Sequence, residues 1–217
     1  MAAREYGQYC GITQALELVG KRWALLIGRD LLVGPRRYGE LAAGLPRIPS
    51  NILAARLKEL QAAGVIRRAP RSRVIVYELT PYGKELEPVV LALGAWGFKA
   101  MGEPREEQLI TPDSLTMDLR TAFRADVAAT LPATAYTARL GSGPDPSDLL
   151  IRVDGAALDV TREDGSADLS FAAGPALHRL IAGELRAERA IETGAIEVLS
   201  GPHRLLDRFA ETFRIAA

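Results

Sequence analysis

The sequence predicts an α+β fold of two domains, and two observations support that class. In the first half, two short helical patterns flank a Gly-Leu-Pro turn at residues 44–46, and a charged hairpin pattern follows at residues 65–77. In the second half, β-rich runs alternate with Asp-Gly turns, and helical patterns follow them. We predict a first domain at 1–100, a linker with clustered acids and prolines at 101–113, and a second domain at 114–217.

The first domain contains two helical patterns around the turn. Residues 38–43 form a short predicted helix that ends at Gly44, and Pro46 and Pro49 bracket the turn. A second predicted helix covers residues 49–63. Its apolar side chains recur at helical spacing and therefore face a core: Leu53, Leu57 and Leu60. Its opposite face carries small, amide and basic side chains: Ser50, Asn51, Ala54, Ala55 and Lys58.

A basic hairpin pattern follows the second helix. Gly64 stands where a left-handed cap would end that helix, and residues 65–66 and 74–77 are β-branched or aromatic runs. Residues 67–73 lie between the runs and include four arginines. A helix with small and amide side chains at its start can read base edges in the major groove, and a basic hairpin beside it can hold phosphates. A solvated surface loop is the alternative interpretation of the arginine run.

These segments resemble the HxlR-type winged helix-turn-helix regulators, which are related to the MarR group. The resemblance covers roughly residues 8–100. It departs from the family at Tyr38, where Phe is frequent, and at Gly11, where Pro is frequent. The matching residues are Cys10, GKRW at 20–23, RRYGEL at 36–41, LAARLKEL at 53–60, AGVI at 63–66 and YELTPYG at 77–83.

The resemblance implies a homodimer that binds double-stranded promoter DNA as a repressor or an activator. A carrier or scaffold whose winged domain binds other proteins is the alternative, but such a domain does not need four arginines in its hairpin. The residues predicted to contact DNA are Arg36, Arg37, Arg47, Ser50, Asn51, Ala54, Arg56, Lys58, Arg71, Ser72 and Arg73.

A long apolar pattern follows the hairpin. Thr80 is the predicted N-cap and Pro81 the first residue of a helix, and apolar side chains then recur at spacings of three and four. Together with the first helix of the chain, this stripe is the predicted dimer interface: Leu16, Leu86, Val90, Leu93 and Trp96. Packing of the stripe on the second domain is the alternative. A twofold dimer requires a twofold-related operator.

Cys10 is the candidate for redox sensing. Some HxlR-type members sense electrophiles or oxidants through a cysteine at this place, so the resemblance implies that the thiol forms a sulfenic acid or an intersubunit disulfide. A buried cysteine that packs as a small hydrophobe is the alternative. Because Cys10 is the single cysteine, an internal disulfide framework is excluded, and a reducing cytosol is the expected location.

Charge divides the chain in the same way as the motifs. Residues 1–100 contain 15 Lys and Arg against 8 Asp and Glu, whereas residues 101–217 contain 12 against 19. A basic surface attracts a polyanion and an acidic surface repels it, so we expect DNA to meet only the first half. The sequence contains no apolar run of about eighteen residues, so no membrane span is predicted. The first ten residues lack the apolar segment of a secretory signal.

The second half combines β-rich runs with helices. A helical pattern at 115–128 comes first, and further helices are predicted around 177–181, at 184–192 and from Pro202 onward. Asp-Gly turns at 154–155 and 164–165 separate β-rich runs. The predicted strands cover 135–140, 149–153, 157–161, 167–171 and 196–199.

This order resembles the sterol-carrier-protein-like fold, which we expect here as an antiparallel sheet with helices. The matching residues are VDG at 153–155, DLSF at 168–171, LIAGE at 180–184 and GAIEVLSG at 194–201. The resemblance implies a tunnel that holds a small apolar effector, and an ordinary packed core is the alternative. The predicted lining is Phe123, Tyr136, Phe171, Leu177, Leu180, Ile181, Leu205 and Phe209.

The chain carries no motif that predicts an enzyme or a metal site. His178 and His203 are the only histidines, and neither has a second ligand at i+3 or i+4. No nucleophile motif is present. We therefore predict no catalytic residue, no cofactor and no metal.

Overall fold

The chain forms two compact units, Met1–Val90 and Leu91–Ala217. The structure is a computed structural model, and it describes residues 6–102, 104–105, 107–141, 147–163 and 165–215. In this described part of the chain, no helix is long and apolar enough to cross a membrane.

The first unit consists of short helices and one β-hairpin, and α6 runs across the boundary to the second unit. Both helices predicted around the turn are confirmed, with bounds shifted by about one residue. The second helix begins after Pro49, because Pro49 itself is extended and acts as the N-cap. The elements are α1 (Gly11–Val19), α2 (Ala24–Val33), α3 (Tyr38–Gly44), α4 (Ser50–Ala62), β1 (Ile66–Arg71), β2 (Val74–Leu79), α5 (Pro81–Lys84) and α6 (Glu87–Phe98).

The core of the first unit fixes the rotation of α4. Leu53, Leu57 and Leu60 are each at most 2% exposed and pack in one cluster with Ile27 of α2 and Leu41 of α3. Burial of a leucine side chain contributes about 1.5–3 kcal/mol, so turning any of these three toward solvent would cost much of the stability of a small domain. The opposite face of α4 therefore points away from the core.

The predicted hairpin is confirmed, but its strands are longer than expected. Ile66 lies opposite Leu79, and the pairing continues to Arg71 opposite Val74. Ser72 takes the left-handed conformation, with a φ of 55°, which makes the turn tight. Most of the arginine run is therefore strand rather than the solvated loop of the alternative interpretation, and its side chains alternate between the two faces of the hairpin.

The second unit contains helices and a five-stranded sheet. The helix predicted at 115–128 is divided, and its first part begins earlier, inside the predicted linker. Thr111 and Ser114 cap that start by reciprocal side-chain hydrogen bonds, and Pro112 occupies the first turn. The elements are α7 (Pro112–Ala122), α8 (Ala125–Ala128), β3 (Thr134–Leu140), β4 (Ser147–Asp154), β5 (Ala157–Thr161), β6 (Leu169–Ala173), α9 (Pro175–Ala182), α10 (Ala187–Glu192), β7 (Val198–Ser200) and α11 (Arg204–Thr212).

The sheet is mixed, so the expectation of an antiparallel sheet was wrong for one pair of strands. The order is β5-β4-β3-β6-β7, and β6 runs parallel to β3. At its entry, the backbone N–H of Asp168 donates to the carbonyl of Ala135 at 2.8 Å, and the Asp168 carboxylate accepts from the backbone N–H of Ala135 at 2.8 Å. These bonds hold β6 on the edge of β3 that β4 leaves open. Asp164, from the turn predicted at 164–165, lies outside the described residues.

The predicted lining of the effector tunnel belongs to the core of the second unit. Seven of the eight residues are buried in one cluster, and Phe123 packs against it half-buried. The ring centroids of Tyr136 and Phe171 lie 5.1 and 5.2 Å from that of Phe209, at edge-on angles. Burial raises the pKa of Tyr136 to about 12. These aromatic side chains therefore contact one another as an ordinary core does.

Removal of the central ring tests this packing. Phe209 is fully buried, so Phe209→Ala should lower the free energy of unfolding of the second unit by about 3–5 kcal/mol, because it leaves a cavity. Urea denaturation followed by circular dichroism measures the loss. Phe123→Ala is the matched control, and it should cost less because that ring is only half-buried. A loss below about 1 kcal/mol at Phe209 would contradict the packed core and indicate open space beside the ring.

Candidate nucleic-acid interface

The exposed face of α4 presents four of the side chains that the sequence predicts to contact DNA. Ser50, Asn51, Ala54 and Lys58 are all exposed. The hydroxyl of Tyr38, at the start of α3, donates to the carbonyl of Ser50 at 2.9 Å, which ties the start of α3 to the first turn of α4. The predicted exposed face is confirmed, and it combines one amide, one ammonium and small side chains on a single surface.

A carboxylate holds the middle of α4 to the segment before α2. Glu59 accepts from Lys21 Nζ at 2.8 Å and pairs with Arg56. Arg56 Nε also donates to the carbonyl of Arg22 at 3.2 Å. Partial burial opposes ionisation, but the hydrogen bonds from Lys21 and Arg56 hold the pKa of Glu59 below its usual value. Arg56 is half-buried and turned toward this network, so its assignment to DNA contact stays a prediction.

The arginines of the hairpin fall into two groups. Arg67 and Arg71 both pair with Glu78, at 2.7 and 3.1 Å. Arg68 lies 6.0 Å from the centre of the Tyr77 ring, within the range of a cation–π contact. Arg73, in the exposed turn, makes no ion pair with any residue in the described part of the chain. Arg73 is therefore the hairpin arginine that is most open to an external anion.

The remaining predicted contacts surround α3. Arg36 is half-buried, and its backbone makes a single antiparallel bridge to Tyr77 of β2. Arg37 is exposed at the N-cap of α3, where its backbone N–H donates to Glu40 at 2.5 Å. Arg47 is exposed in the turn between α3 and α4. All eleven predicted DNA-contact residues thus lie in the first unit, on α4, on the hairpin and in the segments that flank α3.

Sequence reasoning missed Tyr38, Glu59 and Glu78 as parts of this interface. Glu78 lies directly opposite Arg67 in the hairpin, so a turn placed at 72–73 would have paired the two residues from sequence alone. Glu59 follows Arg56 by three positions on one helix face, which is a recognisable ion-pair spacing. The bond from Tyr38 to Ser50 joins two elements across the turn and has no local signal.

Cys10 is exposed within the single chain, so its thiol does not pack as a small hydrophobe in the core of the first unit. The thiol caps the N-terminus of α1: Sγ accepts from the backbone N–H of Thr13 at 3.3 Å and lies 2.9 Å from its hydroxyl. The hydrogen bonds from the hydroxyl and the backbone N–H of Thr13 lower the pKa of Cys10. A greater fraction of Cys10 is therefore thiolate, the nucleophilic form.

Apolar side chains are exposed along the predicted dimer stripe. On α6, Leu93 is 45% and Trp96 75% exposed, and on α1, Leu16 is 45% exposed. Leu86 and Val90 are half-buried. Within the first unit, a groove of about 200 Å³ is lined by Ala15, Leu18, Val19, Val65, Tyr82, Glu85 and Leu86.

The last residue of α6 is buried, unlike the exposed residues of the stripe. Phe98 is buried in the core of the second unit, where its ring stacks 6.0 Å from the ring of His178. His178 also hydrogen-bonds Asp118 at 3.0 Å. Among the described residues, no group of three or more His, Cys, Asp or Glu side chains has the arrangement of a metal site.

Comparison with known proteins identifies the region that contains α3, α4 and the hairpin. Residues 18–105 match the family model described as HxlR-like helix-turn-helix. YvaP, an HTH-type transcriptional regulator of Bacillus subtilis, is 40% identical over 86 residues, which are 38% of this chain and 80% of YvaP. The chain belongs to the HxlR-like family of transcriptional regulators. The HxlR-type resemblance predicted from the sequence is thereby confirmed for the N-terminal region.

Two further similarities accompany the HxlR-like match. The HTH-type transcriptional regulator sll1512 of Synechocystis is 33% identical over 96 residues, which are 43% of this chain and 71% of that relative. A second similarity is to the solved structure of quinone-bound YodB from B. subtilis, with 36% sequence identity and a TM-score of 0.37. The match covers 41% of this chain and 96% of the YodB chain. The sterol-carrier-like resemblance of the second unit stays a prediction.

Proposed function

We propose that the protein regulates transcription as a homodimer that binds double-stranded promoter DNA through α4 and the β1–β2 hairpin. One observation carries the proposal. The exposed face of α4 places Asn51 and Lys58 together, beside a basic hairpin, in a region that belongs to a family of DNA-binding regulators. An α-helix fits the major groove, and an asparagine amide can pair in bidentate fashion with adenine.

On this surface, charged side chains are suited to position the protein on DNA, and uncharged side chains are suited to read its sequence. Lys58 and Arg73 are exposed cations suited to contact DNA phosphates. Such contacts form with DNA of any sequence. Asn51 and the small side chains of Ser50 and Ala54 let the start of α4 approach base edges. Arg71 reaches phosphate only while sharing its charge with Glu78, so Arg73 is the better test of the hairpin.

Substitution of these two kinds of residue should have different effects on DNA binding. A duplex operator is first selected from a random library with the full-length protein. Asn51→Ala should reduce discrimination between that operator and random duplex by about 1–3 kcal/mol. Arg73→Ala should weaken both duplexes equally and flatten the salt dependence, the slope of log K against log salt, by about 0.9, because one phosphate contact is lost. Fluorescence anisotropy at several salt concentrations measures both effects.

The control for charge is Arg204→Ala, which removes one exposed cation from the second unit. Its salt slope should equal that of the wild-type protein. Failure of the wild-type protein to enrich any sequence from the library would contradict the proposed function. An unchanged slope in Arg73→Ala would contradict the assignment of the hairpin to phosphate.

The homodimer is the second part of the proposal. Leu93 and Trp96 are large apolar side chains left exposed on one helix, and a monomer gains nothing from that exposure. A second copy of the chain related by a twofold axis would cover the same stripe on both partners. Two copies of α4 would then read two half-sites, which requires a twofold-related operator.

A charge in the stripe should separate the subunits. Leu93→Glu places a carboxylate where the partner would remove it from water, and an unpaired buried charge is too costly for the dimer to retain. Light scattering should report a monomer, and anisotropy should report lost affinity for the selected operator. Leu199→Glu makes the same change at an exposed leucine of β7 and should remain dimeric. A folded Leu93→Glu protein that stays dimeric would reject the stripe as the interface.

Redox control through Cys10 is a second candidate function, and the exposed thiol with a lowered pKa favours it. A peroxide transfers one oxygen atom to the thiolate, which gives a sulfenate at Sγ and releases water or an alcohol. A sulfenic acid can then condense with the thiol of a second copy, with loss of water, to form a disulfide. Cys10 is the chain's single cysteine, so such a disulfide joins two copies.

The hydrogen bonds from Thr13 should change how the reactivity of the Cys10 thiol depends on pH. The alkylation rate with iodoacetamide, followed against pH, should give an apparent pKa below that of an unperturbed cysteine. Thr13→Val removes the hydroxyl but keeps the shape, and it should shift that profile to higher pH. Identical profiles in the two proteins would exclude activation by Thr13. Peroxide should alter operator affinity in the wild-type protein but not in Cys10→Ser; equal responses would exclude sensing at this thiol.

An apolar effector in the second unit also stays a proposal. Its predicted lining residues contact one another, so a ligand would enter only where those side chains separate. The stability loss of Phe209→Ala bears directly on this question, because a packed core and an open tunnel give different losses.

A further inference from the structure

Glu78 joins two arginines of the hairpin through one carboxylate. Arg67 Nε and Nη2 lie 2.8 and 2.7 Å from Oε1 of Glu78, and Arg71 Nη2 lies 3.1 Å from Oε2. Each carboxylate oxygen therefore serves a different guanidinium. This is a bridged triad on one face of the hairpin.

The register of the hairpin creates this triad. Arg67 lies directly opposite Glu78, and Arg71 is on the same face four residues farther along β1. Ala69 stands between the two arginines on that face, and its small side chain leaves room for Arg71 to reach back to Glu78. The bridge therefore depends on a short side chain at position 69 as well as on the three charges.

Exposure differs sharply within the triad. The side chain of Glu78 is 12% exposed, whereas those of Arg67 and Arg71 are 63% and 62% exposed. The guanidinium groups cover the carboxylate and still face solvent, and each retains donors that Glu78 does not use. A DNA phosphate can therefore approach the arginines, but it meets two positive charges already offset by one negative charge.

The negative charge of Glu78 is permanent near neutral pH. Hydrogen bonds from Arg67 and then Arg71 lower the pKa of Glu78, so the carboxylate is ionised at neutral pH. By contrast, Arg68 lies against Tyr77, and Arg73 has no carboxylate partner among the described residues. Only one part of the hairpin charge is offset.

We propose that Glu78 limits how strongly the hairpin binds DNA of any sequence. Phosphate contacts dominate sequence-independent affinity, and this affinity scales with the number of charges neutralised. A carboxylate fixed between Arg67 and Arg71 reduces that term, while the base contacts of α4 are untouched. Affinity for operator and random duplex is therefore lowered by the same factor. This inference rests on the proposed DNA-binding function.

The substitution Glu78→Gln isolates the charge, because glutamine keeps the shape and one acceptor oxygen. The probes are a random-sequence 30-base-pair duplex and the operator selected with the wild-type protein. Random-duplex affinity should rise about three- to tenfold in low salt, and the salt slope should steepen by about 0.9–1.8, as one or two further phosphate contacts form. Operator affinity should rise by about the same factor, so the ratio of the two affinities should not change. Glu78→Asp, which keeps the charge, should retain most of the wild-type affinity and salt slope.

Glu78→Gln could raise DNA affinity in two ways: by freeing Arg67 and Arg71 to bind phosphate, or by removing the repulsion between Glu78 and DNA. A double-mutant cycle distinguishes the two. If the higher affinity for random duplex comes from the two arginines, Glu78→Gln should raise that affinity hardly at all in a protein that already carries Arg67→Gln and Arg71→Gln. A full gain in that background would overturn the proposal, as would an unchanged slope in Glu78→Gln. Glu184→Gln makes the same change of net charge at an exposed site in the second unit and should leave the slope unaltered.

The outcomes separate this proposal from the function on which it rests. If the wild-type protein selects an operator and binds it with a salt slope, but Glu78→Gln behaves like Glu184→Gln, the role of Glu78 is rejected and DNA binding stands. If the wild-type protein binds neither duplex, the proposed function itself is rejected. Thermal unfolding of each variant checks the fold, and the charge-retaining Glu78→Asp decides the question if glutamine destabilises the hairpin.

Discussion

The burial of one face of α4 is the constraint on which the candidate interface depends. Leu53, Leu57 and Leu60 must leave water together, and a helix can bury all three only in one rotation. That rotation places Asn51 and Lys58 on the solvent side. The chemistry of the exposed face is thus set by side chains that never touch a ligand. Packing energy positions the interface, and the polar residues determine what it contacts.

Two carboxylates organise the charge around this helix in the same manner. Glu59 holds Lys21 and Arg56, and Glu78 holds two arginines of the hairpin. Each anion thus offsets part of the positive charge in a region that carries an excess of it. Ion pairs of this exposure contribute little to stability, so their effect on the electrostatic field is the larger consequence. The first unit therefore directs only part of its positive charge outward.

The second unit owes its form to contacts between distant segments. Its strand β6 runs parallel to β3, and two hydrogen bonds join Ala135 to Asp168 at the start of this pairing. Its core centres on Phe209. Phe98, at the end of α6, packs into this core.

The sequence by itself determined the helices around the turn, the hairpin and most strands of the second unit, because periodicity, capping and turn chemistry are local. It also determined the family, through motifs carried by contiguous residues. Only the tertiary structure decided that Cys10 is exposed, that Arg56 donates to the carbonyl of Arg22, and that one strand pair of the sheet is parallel. Each of these depends on which distant groups meet. Local patterns define the elements, but they do not specify which side chains share a surface once the elements have packed.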